Sequence, residues 1–197
     1  MKKKILLIIV TFMFSTLLFS QKIKLLEGNC SFFKEENVMG IEFTYKNLKV
    51  GKMAEKDYVK KHKLEADSKE KGSGDKWEAS WINDRANRYE PKFETLFNKY
   101  AAEANVSVDN TKTDTKYKMI VNTYFIEPGF NVGIHSKPAR VSMTIVFAET
   151  ANPKKVMAKF DVVLARGTPY FDAGARISES YAKAAKSFGT FLQKYKK

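Results

Sequence analysis

The sequence predicts an α+β domain, a mostly antiparallel sheet with amphipathic helices packed on one face. Three observations carry this. Residues 139–148 and 156–165 each alternate apolar and polar positions and are joined by a short turn. Such a turn permits only an antiparallel hairpin, because a parallel crossover needs about a dozen residues or more. Residues 76–105 and 175–195 instead repeat their apolar positions every three or four residues, the period of a helix with one buried stripe. The order is one strand, a helical stretch, further strands and a closing helix, which gathers the helices on one face of the sheet.

Residues 1–20 read as a secretory signal peptide. Lys2, Lys3 and Lys4 form a basic start, Ile5 to Phe19 an uncharged apolar run, and the small Ser20 stands at a cleavage point before Gln21. The alternative is a retained anchor, but the run is short for a bilayer span and polar, strand-like sequence follows it. Cys30, the only cysteine, lies ten residues past Ser20, so the leader is not that of a lipoprotein. Alone in an oxidising compartment, it is expected to be buried, disordered or paired with another chain, and burial is the simplest reading. Export places the mature product, residues 21–197, in the periplasm or outside the cell as a single domain.

The full chain counts 35 Lys+Arg against 22 Asp+Glu. The leader holds three of the lysines and no acid, so residues 21–197 carry 32 against 22, a net of +10. This favours anionic partners: a membrane surface, an anionic glycan or an acidic envelope protein. Export, and the lack of any zinc-finger, Gly-rich or helix-turn-helix pattern, turn the reading away from nucleic acid.

Along the mature chain, residues 21–37 are a mixed lead-in with apolar groups at Ile23, Leu25 and Leu26 and at Phe32 and Phe33. Val38 to Lys46 alternates as a half-buried strand, with Ile41, Phe43 and Tyr45 on one face. Residues 52–74 are strongly charged with a thin apolar stripe, Met53, Tyr58 and Leu64, and read as a surface insertion, either a helix or a flexible excursion. Trp77, Trp81, Tyr89, Phe93 and Phe97 then mark a helical stripe. Pro91 cannot sit comfortably inside it, so a kink near 88–91 or a meeting of two helices is expected. Val106 and Val108 fit a short strand. Tyr117, Met119, Val121, Thr123 and Phe125 fit one face of a central strand that Glu127-Pro128-Gly129 ends.

The hairpin places Val141, Met143, Ile145 and Phe147 on one face of its first strand, and Val156, Ala158, Phe160, Val162 and Leu164 on one face of its second. Asp172 is a candidate N-cap for the last helix, whose stripe is Ile177, Tyr181, Ala184, Ala185, Phe188, Leu192 and Tyr195. Lys194, Lys196 and Lys197 suit its C-terminal pole. No internal repeat is present.

The order of a strand, a tryptophan-bearing helix, a strand ending at Ile126-Glu127-Pro128-Gly129, a hairpin through Val141 to Leu164 and a closing helix from Ala173 to Lys183 resembles small envelope domains. These are the N-terminal domain of the periplasmic TolB protein and the curli-assembly-type lipoproteins. The likeness spans most of residues 38–193, without a specific motif and without the lipoproteins' cysteine at the start. It implies a binding or assembly role and no catalytic residue. The leader, ending Phe19-Ser20-Gln21, also looks like those of exported Bacteroidetes proteins.

Residue chemistry points the same way. His62, His135 and Cys30 are scattered and do not form the three or four convergent ligands of a zinc site, and no acidic run has EF-hand spacing. No G-x-S-x-G elbow accompanies His135, the one attractive base, and no cofactor motif occurs. Paired carboxylates need only proximity, which keeps an exported hydrolase of envelope glycan or peptide as the alternative. The leading expectation is a non-catalytic exported binding or assembly module. Its candidate surface residues are Phe130 and His135, in a loop that either tucks Phe130, Val132 and Ile134 inward or presents them, and Trp77 and Trp81, which serve either the core or a ligand platform.

Overall fold

A computed structural model describes residues 21–195. The leader read at 1–20 and the terminal Lys196 and Lys197 lie outside the described residues. The fold is α+β, with one mixed, mostly antiparallel sheet and helices packed against it.

The expected hairpin is present as β9 (Arg140–Glu149) and β10 (Val156–Arg166), paired antiparallel. The central strand β6 (Tyr117–Glu127) pairs antiparallel with β9. On the other side of β6 lies β2 (Val38–Thr44), which runs parallel to it. That parallel pair requires a long crossover, and the helical stretch supplies it. The lead-in holds an edge strand that local pattern did not reveal, β1 (Lys22–Gly28), antiparallel to β10, and a 3-10 turn at Ser31–Lys34. Two-residue strands β3 (Lys49–Val50) and β4 (Met53–Ala54) pair with each other, and β3 also joins β6. The short strand at Val106 and Val108 is present as β5 (Ser107–Asp109), which holds Val108, follows directly on Val106 and runs beside β2.

The charged stretch forms α1 (Glu55–Asp67), none of whose residues is buried, packed on α2 (Ser73–Asp84). The expected break at Pro91 is a single π-helical turn, Arg85–Tyr89, between α2 and α3 (Glu90–Ala101). Proline brings no N–H, so it interrupts the α-helical ladder. Here the Glu90 N–H reaches back to the Arg85 carbonyl five residues earlier, the wider spacing that accommodates such a break. Ser178 donates its hydroxyl to the Arg88 carbonyl at 3.1 Å, which ties the turn to the last helix.

That helix, α4 (Ala173–Leu192), begins as its sequence predicts: the Asp172 carboxylate accepts from the Ala175 N–H at 2.8 Å. The stripe Ile177, Tyr181, Ala184, Ala185, Phe188 and Leu192 is buried against α3 and the sheet. Each of its large side chains contributes about 1.5–3 kcal/mol on burial. Phe188 of α4 meets Phe97 of α3, Phe147 of β9 and Phe160 of β10, so four elements share one aromatic core. Cys30 is buried and free, and burial pushes its thiol up to about 12.

Two strand faces depart from simple alternation. Alternation puts Phe125 on the face of Val121 and Thr123, and Leu164 on that of Phe160 and Val162, yet Ile126 and Ala165 are the ones buried with those residues. A β-bulge interrupts each strand, between Thr123 and Phe125 in β6 and between Val162 and Ala165 in β10, where Leu164 takes φ 53°. One extra residue reverses every side chain beyond it. Both bulges adjoin the buried Ser142 of β9, whose hydroxyl accepts the Leu164 N–H at 2.9 Å. The far face of the sheet, with Ile120, Asn122, Tyr124, Val146 and Asp161, is half exposed.

Candidate functional site

The bulged end of the sheet carries the most distinctive surface. Beyond β6 the chain forms a small hairpin, β7 (Phe130–Val132) and β8 (His135–Lys137). Gly129 opens it and Gly133 turns it, both with positive φ (65° and 57°), and a Cβ at Gly129 would lie 2.1 Å from the Lys137 carbonyl oxygen. The hairpin presents its apolar residues. Phe130 is 46% exposed, Val132 65% and Ile134 95%. Beside it runs the loop 167–172, where Tyr170 is 49% and Phe171 84% exposed. Five large apolar side chains exposed on two neighbouring segments are more than scattered surface residues and point to an interaction surface.

One side chain holds both segments. Arg176, in the first turn of α4, is 6% exposed. Its Nε donates to the Pro128 carbonyl at 3.1 Å, and one terminal nitrogen donates to the carbonyls of Tyr170, at 2.7 Å, and Phe171. A second tie joins the loop to the root of β9, from the Gly167 N–H to the Ala139 carbonyl at 3.2 Å. The two apolar segments are therefore braced at their bases while their side chains point away from the core.

The tryptophans sit in a separate feature. Trp81 is buried, stacks on Trp77 at 5.8 Å and 10°, and donates its indole N–H to Glu55 Oε1 at 2.7 Å. Trp77 is half buried and stacks on His62 at 5.0 Å and 17°, while Tyr58 lies 5.1 Å from Trp81. This ladder joins α1 to α2. Arg85 continues it, paired with Glu55 and lying 4.0 Å over the Tyr45 ring. The Tyr45 hydroxyl donates to Glu90 at 3.0 Å, and burial, with Tyr181 and Glu90 beside it, pushes its pKa up. Burial pushes the Tyr58 hydroxyl up to about 12, with Arg176 opposing that and Glu127 adding to it.

The structure thus brings Phe130 and His135 into one hairpin and keeps Trp77 and Trp81 between helices. Sequence reasoning missed Tyr170, Phe171 and Arg176. The available signal was two adjacent aromatics between Pro169 and the cap Asp172, a place where no periodic element could bury them.

At the other end of the sheet a cleft of about 680 Å³ is lined by Asn29, Cys30, Phe33, Lys34, Asn37 and Lys194, among others. The carboxylate of Glu35 on its rim is held low by hydrogen bonds from Lys116 and Tyr117. Among the described residues no three His, Cys, Asp or Glu side chains gather as metal ligands, and no helix is long and apolar enough to cross a membrane.

No family model matches the chain. No curated protein matches it either. Among solved structures, the PelC dodecamer from Paraburkholderia phytofirmans overlaps 85% of this chain and 96% of its own, at 9% identity and a TM-score of 0.42. A likeness at that level assigns no role to this chain.

Proposed function

We propose that the protein is an exported, non-catalytic binding module of the cell envelope. The observation that supports this is the exposed apolar end formed by Phe130, Val132, Ile134, Tyr170 and Phe171, held out by the buried Arg176. A chain with a net charge of +10 past its leader adds attraction for the anionic components of an envelope. The competing hydrolase needs an activated group in a cleft. In the cleft at the other end of the sheet the thiol of Cys30 is pushed up to about 12, which keeps it protonated and a poor nucleophile.

The test is sedimentation of the mature chain with isolated envelope fractions. Wild type is expected in the pellet, and the doubly substituted Ile134→Ser, Phe171→Ser chain in the supernatant with an unchanged circular dichroism spectrum. Equal pelleting of the two would overturn the assignment of this end as the binding surface.

A further inference from the structure

Building on the binding surface proposed above, we infer that its partner is an anionic phospholipid surface, which the hairpin tip and the 170–171 loop enter side by side. Shape is the first argument. The most exposed side chains, Ile134 and Phe171, stand on two loop tips rather than lining a groove. Protruding apolar tips suit a fluid interface that closes around them, as shallowly inserted segments do.

Charge is the second. Arg140 and Arg166 face each other across the β9–β10 pair at the base of these loops. Lys52 lies at the same end of the sheet on the far side of β6, in the turn whose Gly51 N–H donates to the Ile126 carbonyl at 2.8 Å. Among the described residues none of these three cations makes an ion pair. The neighbouring acids are already engaged, Glu127 by Lys137 at 3.5 Å and Asp172 by Arg88 and the Ala175 N–H. Glu127 also stands opposite Arg140 in the β6–β9 register, so Lys52, Lys137, Arg140 and Arg166 outnumber it and the end combines apolar tips with a net positive collar. Such a collar gains about 1 kcal/mol per Lys or Arg near an anionic leaflet. A rim of cations around apolar tips matches a headgroup layer over acyl chains, with each group at its own depth.

The experiment is co-sedimentation of the mature chain with vesicles of phosphatidylglycerol and phosphatidylcholine in equal parts, and with vesicles of phosphatidylcholine alone. Binding to the first and not the second is expected, weakening as salt rises. Ile134→Ser with Phe171→Ser is expected to lower the partition coefficient at least about tenfold, since it removes two side chains worth more than that on burial. Arg166→Gln, at an exposed site, is expected to lower it about fivefold. Absence of binding to the anionic vesicles overturns the lipid assignment, and so does binding that the Ser double variant retains. If envelope fractions still capture the wild type through these residues while the vesicles do not, the lipid proposal falls and the binding surface stands. If neither captures it, both fall.

Discussion

Arg176→Met tests whether the exposed apolar end is braced or merely loose. The substitution keeps an unbranched chain on α4 and removes every donor. Three charge-assisted bonds disappear, to the carbonyls of Pro128, Tyr170 and Phe171. Bonds of this type are worth about 1.5–3 kcal/mol each where the acceptor stays buried. Here Tyr170 and Phe171 are exposed, so water replaces much of what their carbonyls lose. The substitution also relieves a cation held in the first turn of a helix, where the dipole opposes it by about 0.3–1 kcal/mol. The balance is a loss of about 2 kcal/mol, concentrated in two loops, which corresponds to roughly thirtyfold in their opening equilibrium. Amide hydrogen exchange reads this directly. Residues 129–138 and 167–172 are expected to exchange about thirtyfold faster, with α3 and β9 changed far less. Arg176→Lys should fall between, because an ammonium is a point donor that cannot span three carbonyls. Unchanged exchange in both loops would refute the brace. So would an increase spread evenly over the molecule, which would make Arg176 an ordinary core residue.

Two further predictions concern the helical layer. Thr123 and Tyr181 share a buried hydrogen bond of 2.7 Å between β6 and α4; Tyr181→Phe or Thr123→Val alone should cost about 1–3 kcal/mol by removing a partner of the other buried hydroxyl, while the double variant costs clearly less than the sum in a urea-unfolding cycle, and additivity would deny the coupling. His62, stacked on Trp77, has its pKa lowered by burial, with Glu65 opposing; the unfolded chain then binds the proton more readily, so this contribution is complete above the unfolded value and lost as pH falls below it. Melting temperature measured from neutral pH downward should drop less steeply in His62→Phe than in wild type, and parallel profiles would remove His62 from the account.

Elements whose partners lie close in sequence were legible from the chain. The β9–β10 hairpin, the capped α4 and the break at Pro91 each depend on period, turn residues or the missing proline N–H. Elements defined by distant partners were not. β1 reads as a lead-in because only pairing with β10 makes a strand of it, and the parallel β2–β6 pair depends on where the crossover returns. Of the candidate site, the apolar character of the loop around Phe130 was visible, but whether it tucked or projected was not. That outcome rests on Arg176, whose place next to an apolar helix stripe says nothing of the carbonyls it meets. Trp77 and Trp81 were legible as one stripe, and their ladder only becomes apparent once α1 folds back to bring His62 and Tyr58 against them.

The two bulges beside Ser142 show how this end of the sheet comes to carry such a surface. Without them, strict alternation would send Phe125 and Leu164 toward α4 and turn Ile126 and Ala165 outward. A leucine in the core at the last row of β10 would fill the space beneath the first turn of the helix. With the bulge, the small Ala165 points inward there instead, alongside the equally buried Ala139. Arg176 works over this same region, since its acceptors lie in the residue after β6 and in the loop after β10. Ser142 makes the arrangement affordable by taking up the Leu164 N–H, a backbone donor that the bulge removes from the ladder. The backbone irregularity, the small buried residues and the buried guanidinium are thus parts of one device. It substitutes carbonyl–guanidinium bonds for the apolar packing that the loops forgo, and so leaves Ile134 and Phe171 free to meet a partner.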